Sequence, residues 1–170
     1  MDTIISADSP PRPTWRFVLK HPAHFLAFGC GVGLMPAAPG TFGTLLAFPV
    51  YGLLAAWATP VALAAIIAVL FVAGIPLCAL TGRALGRADH SGIVWDEITA
   101  FLLVLYFTPA GLLWQGAAFV LFRLFDILKP PPIRYYDRTL KGGFGVMFDD
   151  LLAAGYALVV LAIVKATTPW

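Results

Sequence analysis

The sequence predicts an all-α integral membrane protein, a helical bundle that surrounds one polar site. Hydrophobic residues make up 60% of the 170-residue chain and charged residues only 12%, which is far from the average of soluble globular domains. Three long segments, 21–82, 98–122 and 151–164, contain no Lys, Arg, Asp or Glu, so each can lie in lipid. No stretch alternates with period two for long enough to form a membrane barrel.

The chain begins with a polar, proline-rich segment. Residues 1–20 contain Pro10, Pro11 and Pro13 and are predicted to be a flexible N-terminal tail, and residues 21–170 are predicted to be a single membrane-embedded domain. No apolar stretch stands ahead of a small-residue cleavage site, so we expect no cleaved signal peptide. A net charge of +2 is too small for a nucleic-acid interface. The predicted partner is the membrane.

Residues 25–44 are rich in glycine and proline and predict an apolar loop that partly enters the membrane. Two helices follow, over 45–57 and 61–80, with a tight turn between them. The loop's last residues offer backbone N–H groups and the hydroxyls of Thr41 and Thr44 to an oxyanion. The alternative is that Gly and Pro merely interrupt a membrane helix and that Thr41 is an ordinary N-cap.

Segment 98–122 separates two groups of charged residues. If it were one straight span, the two basic groups would face opposite sides of the membrane, which the positive-inside rule disfavours. Residues 108–111, T-P-A-G, therefore predict the turn of a re-entrant or short helical hairpin, with a kinked single span as the alternative. A last helix is predicted over 145–164. This topology gathers the polar site at the cytoplasmic face.

Seven of the nine acidic residues lie between 89 and 150. Desolvated carboxylates need cations or a metal, and three acidic groups in one small membrane protein favour Mg²⁺, which prefers oxygen ligands. The members of the pairs Asp96–Glu97 and Asp149–Asp150 point about 100° apart on a helix. We therefore expect one member of each pair to contact the metal and the other to support it. For Asp149–Asp150 the alternative is favourable charge at a helix N-terminus.

Arg123, Asp126 and Lys129 recur at intervals of three residues, so they spread across one face of a helix. Three consecutive prolines then end that helix. One interpretation gives Asp126 to a metal and the two cations to phosphate oxygens. The other is that the three charges only neutralise one another within the helix.

Four motifs in this order resemble the phosphatidylglycerophosphatase A family. They are H-F-L-A-F-G to P-G-T-F-G over 24–43, I-V-W-D-E over 93–97, F-R-L-F-D-I-L-K-P to D-R over 122–138, and G-G-F-G-V-M-F-D-D over 142–150. The resemblance covers residues 22–156. It implies a Mg²⁺-dependent enzyme of the bacterial inner membrane that removes the terminal phosphate of phosphatidylglycerophosphate. The product, phosphatidylglycerol, belongs to phospholipid biosynthesis.

With this resemblance, metal-assisted hydrolysis is the favoured chemistry. One or two Mg²⁺ ions would be held by Glu97, Asp126, Asp149 and Asp150, with Asp96 orienting water or acting as base. The substrate phosphate would be bound by Thr41, Thr44, Arg123, Lys129, Arg134 and Lys141. Attack by water is the hypothesis, and a phosphorylated Asp96 or Asp126 is the alternative. Two rival functions stay open: hydrolysis of another lipid phosphate, and non-enzymatic transport through an intramembrane charge pathway.

Overall fold

The computed structural model describes residues 13–167, which are helical and contain no strand. Most of the predicted tail, residues 1–12, lies outside the described residues. The all-α prediction is confirmed for the part that is described. The helices are α1 (Trp15–Leu19), α2 (Pro22–Ala27), α3 (Pro39–Trp57), α4 (Pro60–Ala84), α5 (Trp95–Phe107), α6 (Leu112–Leu128), α7 (Ile133–Thr139) and α8 (Gly142–Thr167), and a 3-10 segment spans Gly29–Leu34.

Proline opens three of these helices: Pro22 in α2, Pro39 in α3 and Pro60 in α4. Proline suits the first helical position because its fixed φ is helical and no bond partner is needed there. The predicted start of α3 at residue 45 is therefore wrong by six residues. The glycines that follow Pro39 indicated a loop, but in the structure they lie inside the first turns of α3.

The N-terminal helix α2 packs against the end of α4, and α1 packs against α2. Val18 of α1 is fully buried, so the last part of the predicted tail is folded. His24 of α2 hydrogen-bonds through Nδ1 to the Thr81 hydroxyl of α4 at 3.1 Å, and the rings of Phe17 and His24 stack with centroids 4.5 Å apart. These contacts place α1 and α2 at the C-terminal end of α4.

Three helices, α3, α4 and α8, are long and apolar enough to cross a membrane. Large apolar side chains are exposed at the helix ends opposite the acidic residues: Trp57 is 88% exposed, and Leu112 is 89% exposed. Exposed apolar surface at these positions suits contact with lipid rather than water. The fold is that of a membrane-embedded bundle.

Helices α5 and α6 form a hairpin that turns between Phe107 and Leu112. The two charged ends meet, since Arg123 Nη1 of α6 lies 3.7 Å from Glu97 Oε1 of α5. The structure therefore contains two antiparallel helices here and not one kinked helix. This hairpin brings the charges that follow segment 98–122 beside those that precede it.

Helix α5 is the most deeply packed element around the site. Six residues of its middle are at most 1% exposed: Thr99, Ala100, Phe101, Leu102, Val104 and Leu105. At its start, Trp95 Nε1 donates to the backbone oxygen of Leu70 in α4 at 3.1 Å. Helix α8 packs against α4, α5, α6 and α7. The first turn of α5 and the third turn of α8 are thereby held face to face.

Candidate active site

A cluster of carboxylates lies where α5 meets α8. One ligand oxygen from each of Asp96, Glu97 and Asp150 lies within 4.8 Å of the others. Asp96 and Glu97 occupy the first turn of α5, and Asp150 comes from α8. Separations of this size allow three carboxylates to share one divalent cation. We expected only one member of the Asp96–Glu97 pair to face such a site, and the structure brings both to it.

The cluster lacks partners for its own oxygens. Asp96 Oδ1, Glu97 Oε2 and Asp150 Oδ2 are buried without a hydrogen bond. Buried charges that converge without a counter-charge are strongly destabilising. Burial raises the pKa of Asp96, and the nearby Glu97 and Asp150 raise it further. A hard divalent cation would satisfy these oxygens, so the donor set fits Mg²⁺.

Arg123 is the cation nearest to this cluster. Its Nη1 lies 2.6 Å from Asp126 Oδ2, three residues later on α6, and 3.7 Å from Glu97 Oε1. The Nε–H is buried and has no partner. Asp126 in turn interacts electrostatically with Glu97 and Asp150. The Arg123 guanidinium therefore lies beside four acidic side chains, and its Nε–H group can still donate to a further anion.

The first turns of α3 close the site from the third side. A Cβ built on Gly40 would lie 2.0 Å from Glu97 Oε1, so only glycine permits this approach. The fully buried Thr44 hydroxyl donates to the Gly40 carbonyl at 2.9 Å and accepts from Arg123 Nη1 at 3.4 Å. Thr44 thus orients Arg123. Thr41 is half-buried in the same turn, and no hydrogen bond joins its hydroxyl to another described residue.

Lys129 forms a separate ion-pair bridge beside the cluster. Its Nζ hydrogen-bonds to Asp137 of α7 at 2.7 Å and to Asp149 of α8. Burial lowers the pKa of Lys129, but the hydrogen bonds and charges of the two carboxylates outweigh burial and raise it. Lys129 ends α6 in the left-handed conformation, with φ +44°. The bridge links α6, α7 and α8 and occupies Asp149.

The comparisons with known proteins identify the family. A family model described as Phosphatidylglycerophosphatase A matches residues 25–165, which include the whole carboxylate cluster, Arg123 and the lysine bridge. The chain belongs to the phosphatidylglycerophosphatase A family.

Two relatives carry that family name. The protein of Haemophilus influenzae is 45% identical over 156 residues, covering 90% of this chain and 94% of the relative. The protein of Escherichia coli is 40% identical over 140 residues, covering 81% of this chain and 80% of the relative. A third relative, from Bacteroides thetaiotaomicron, is named as a candidate phosphatidylinositol-3-phosphatase and is 38% identical over 144 residues, covering 81% and 89%. No solved structure matches the chain.

In this family member, two of the predicted phosphate-binding cations lie away from the cluster. Arg134 donates to the carbonyl of Leu128 at 3.3 Å, and Lys141 donates to the carbonyl of Asp137 at 3.2 Å. Both are exposed. Lys141 lines a cavity of about 180 Å³ whose walls include Asp89, Asp137 and Asp149. The structure thus groups Lys141 with the lysine bridge rather than with Arg123.

Sequence reasoning missed two residues of the site. Gly40 was assigned to an anion-binding loop, whereas the structure packs it directly on Glu97. Asp137 was noted only as part of a charged segment, yet it shares Lys129 with Asp149. Its spacing of eight residues from Lys129 across three prolines gave no helical register from which this contact could be inferred.

Proposed function

We propose that this protein is a Mg²⁺-dependent phosphatidylglycerophosphatase that hydrolyses the terminal phosphomonoester of phosphatidylglycerophosphate at the cytoplasmic face of a bacterial inner membrane. The observation that carries the chemistry is the buried cluster of Asp96, Glu97 and Asp150, whose unpartnered oxygens stand beside Arg123. The names of two relatives supply the substrate. The membrane-crossing helices suit a lipid.

Asp96, Glu97 and Asp150 would hold Mg²⁺, with Asp126 at the edge of the set. When bound, the ion would supply charge neutralisation at the transferring phosphoryl group and acidify bound water. Asp149, which sequence reasoning placed among the ligands, stays with Lys129 in this proposal because its charge is already compensated. In the acidic pair of α8, Asp150 would therefore bind the metal, and Asp149 would belong to the lysine bridge.

Arg123 would bind the equatorial oxygens of the phosphoryl group through the N–H groups that Asp126 leaves free. Thr44 and Asp126 fix the guanidinium before substrate arrives, and such preorganisation is what makes transition-state charge stabilisation effective. Asp96 would accept the proton of the attacking water through Oδ1, its buried oxygen without a partner. A general base must have a free lone pair directed at the reacting water.

The distribution of basic residues supports the cytoplasmic orientation. Lys and Arg side chains cluster at the helix ends around the site, and among residues 13–167 only Lys165 lies at the opposite end of α8. Basic residues favour the cytoplasmic side of bacterial membranes. Labelling of a cysteine introduced at Thr167 from the periplasm, and of one introduced at Lys141 from the cytoplasm, would support this orientation, and the reverse pattern would contradict it.

The activity is tested with purified protein and four lipid phosphates. We expect Mg²⁺-dependent phosphate release from phosphatidylglycerophosphate, loss of release with chelator, and little release from phosphatidic acid. Asp89→Asn serves as the control for the cluster variant Asp96→Asn, since Asp89 is an exposed acid outside the cluster. Phosphatidylinositol 3-phosphate and sphingosine 1-phosphate complete the panel. Faster turnover of either would overturn the proposed substrate and keep the phosphatase chemistry.

The third relative gives a specific reason to include phosphatidylinositol 3-phosphate, because its name assigns that protein to this substrate. Both lipids present a phosphomonoester on a polar group that is itself attached through a phosphodiester. The carboxylate cluster and Arg123 would bind the phosphomonoester, which the two substrates share. Selectivity between the two lipids must therefore arise outside the cluster.

A further inference from the structure

A second polar cavity opens beside the N-terminus of α3. Its volume is about 370 Å³, and none of the carboxylates of the cluster lines it. One wall contains Leu34, Met35 and Pro39, and the other contains Arg87, His90 and Ser91. The polar side chains of the cavity come from the segment that links α4 to α5.

Arg87 brings a full positive charge to this cavity. It makes no ion pair with any residue from 13 to 167. Asp89 stands two residues later but lines the neighbouring cavity that contains Lys141. By contrast, Arg123 and Lys129 are both committed to carboxylates. Arg87 can thus meet an incoming anion without first losing a carboxylate partner.

His90 adds a neutral donor. The backbone N–H of Gly92 donates to His90 Nδ1 at 3.0 Å, so the neutral ring carries its proton on Nε2. Burial lowers the pKa of His90 and the neighbouring Arg87 lowers it further, while Asp89 opposes them with a smaller effect, so the net shift favours this neutral form. With the Ser91 hydroxyl, the cavity offers donors from three polar side chains, and no carboxylate lines it. That composition selects an oxyanion.

The two walls are fixed to each other. A Cβ built on Gly33 would lie 1.9 Å from the carbonyl oxygen of Gly92, so the segments that carry the two walls are in direct backbone contact. The N–H of Val94 donates to the Ala27 carbonyl at 2.9 Å, which ties the same wall to α2. A preformed cavity loses little conformational entropy when a ligand binds.

The cavity adjoins the carboxylate cluster through both walls. Pro39 lines the cavity, and the next residue, Gly40, contacts Glu97. On the other wall, the chain runs from His90 into the first turn of α5, where Asp96 and Glu97 lie. A ligand that fills both sites would pass over the N-terminus of α3, whose dipole favours negative charge.

We propose that this cavity binds the phosphodiester of the lipid substrate while the carboxylate cluster receives the terminal phosphomonoester. The assignment rests on the proposed function, because phosphatidylglycerophosphate carries both groups and phosphatidic acid carries only a monoester. Arg87, His90 and Ser91 would then select for lipids that carry a phosphodiester beside the monoester, and against phosphatidic acid, whereas phosphatidylglycerophosphate and phosphatidylinositol 3-phosphate share both groups. These three side chains bind a part of the substrate that does not react, so their contribution is to affinity rather than to the chemical step.

The test compares Arg87→Gln with Arg83→Gln. Arg83 is an exposed arginine one turn earlier on the same helix end and lies outside this cavity. Both variants remove one positive charge, so general attraction to an anionic surface falls equally. With monomeric dihexanoyl-phosphatidylglycerophosphate, we expect Arg87→Gln to raise KM about tenfold with kcat within about twofold, the pattern of lost uniform binding. Equal KM values for the two variants would overturn the proposal.

A second arm uses two inhibitors that separate the sites. Dihexanoyl-phosphatidylglycerol carries the diester without the monoester, and inorganic phosphate resembles the monoester alone. In Arg87→Gln we expect the inhibition constant of the first to rise about tenfold and that of phosphate to stay within about twofold. A rise shared by both inhibitors, or by neither, would contradict a diester subsite.

Failure of the proposed function would be visible separately, as wild-type protein that releases no phosphate from phosphatidylglycerophosphate. The cavity would then be tested by calorimetric binding of dihexanoyl-phosphatidylglycerol, with dihexanoylglycerol as the ligand that lacks the phosphate. Weaker binding to Arg87→Gln than to Arg83→Gln would support the subsite. Equal binding to both variants, or equal binding of both ligands, would overturn it.

Discussion

Asp149 and Asp150 are neighbours on α8, yet they lie in opposite electrostatic surroundings. Asp149 hydrogen-bonds to Lys129, which also binds Asp137. Asp150 faces Asp96 and Glu97, and its buried Oδ2 has no partner. Adjacent residues on a helix point about 100° apart. One turn of α8 therefore contributes Asp149 to the ion pair with Lys129 and Asp150 to the acidic cluster.

This contrast separates a stabilising role from a chemical one. A buried carboxylate that is paired keeps neighbouring helices in register, and removal of its partner leaves an uncompensated charge. A buried carboxylate that faces other carboxylates lowers stability until a cation arrives. Unsatisfied acids in a packed interior are therefore evidence for a ligand, whereas satisfied acids are not. The predictions below test that division.

The largest effect is expected for Asp150→Asn. Loss of one of the proposed metal ligands should lower kcat for phosphatidylglycerophosphate on the order of 1000-fold, since a metal supplies several kcal/mol to the transition state. Asp149→Asn should lower kcat only about tenfold, because Asp149 contacts Lys129 and not the proposed metal, so it affects the reaction only indirectly. Measuring the rate of phosphate release by both variants tests this difference in kcat. Equal losses would contradict the division of the pair.

The next effect concerns binding of Mg²⁺ alone. At a concentration near 100 Kd the ion should stabilise the wild-type protein by about 2.7 kcal/mol, seen as a higher thermal midpoint in detergent. Asp150→Asn should abolish this shift, and Asp149→Asn should retain most of it. Without Mg²⁺, Asp150→Asn should itself raise the midpoint, because it removes one of several converging charges. A Mg²⁺ shift that disappears in Asp149→Asn alone would reverse the assignment of the two acids.

Sequence could predict the acidic cluster but not its division. Uncharged segments located the membrane helices, and the two charged groups predicted that the hairpin ends would meet. Whether Asp149 or Asp150 faces α5 depends on the rotation of α8 against three other helices, which no local pattern encodes. Sequence reasoning likewise grouped the cations by residue type, although Arg123 lies beside the cluster and Arg134 donates to a backbone carbonyl.

The boundaries of α3 show another limit of sequence reasoning. Gly40 and Gly43 indicated a loop because glycine is a poor helix former. In the structure the early turns of α3 are helical, and Gly40 is explained instead by its close contact with Glu97, which leaves no room for a Cβ. A glycine required by a distant part of the chain cannot be distinguished from a glycine required by a turn until the tertiary contact is known.

The lysine bridge should affect stability more than chemistry. Lys129→Met leaves two carboxylates unpaired, and the Asp149 side chain is only 9% exposed. We expect a loss of about 2 kcal/mol in the free energy of unfolding, below the usual cost of a fully buried broken pair because Asp137 is partly exposed. The triple change Lys129→Met, Asp137→Asn, Asp149→Asn should recover part of this loss in denaturant titrations. No recovery would mean that the lysine stem, not its charge, stabilises the bundle.

The smallest effect tests how closely α3 must approach the cluster. In Gly40→Ala the added methyl would meet Glu97 Oε1, so Glu97 or the start of α3 must move, and we expect kcat/KM to fall about tenfold because small displacements of aligned groups slow catalysis. Gly52→Ala is the matched control, since it lies in the same helix with no atom within 4 Å of the added Cβ. That variant should keep full activity and gain up to about 1 kcal/mol in stability from helix propensity. If both variants keep full activity, the contact of Gly40 with Glu97 is not needed to hold the cluster, and α5, α6 and α8 are sufficient to position its side chains.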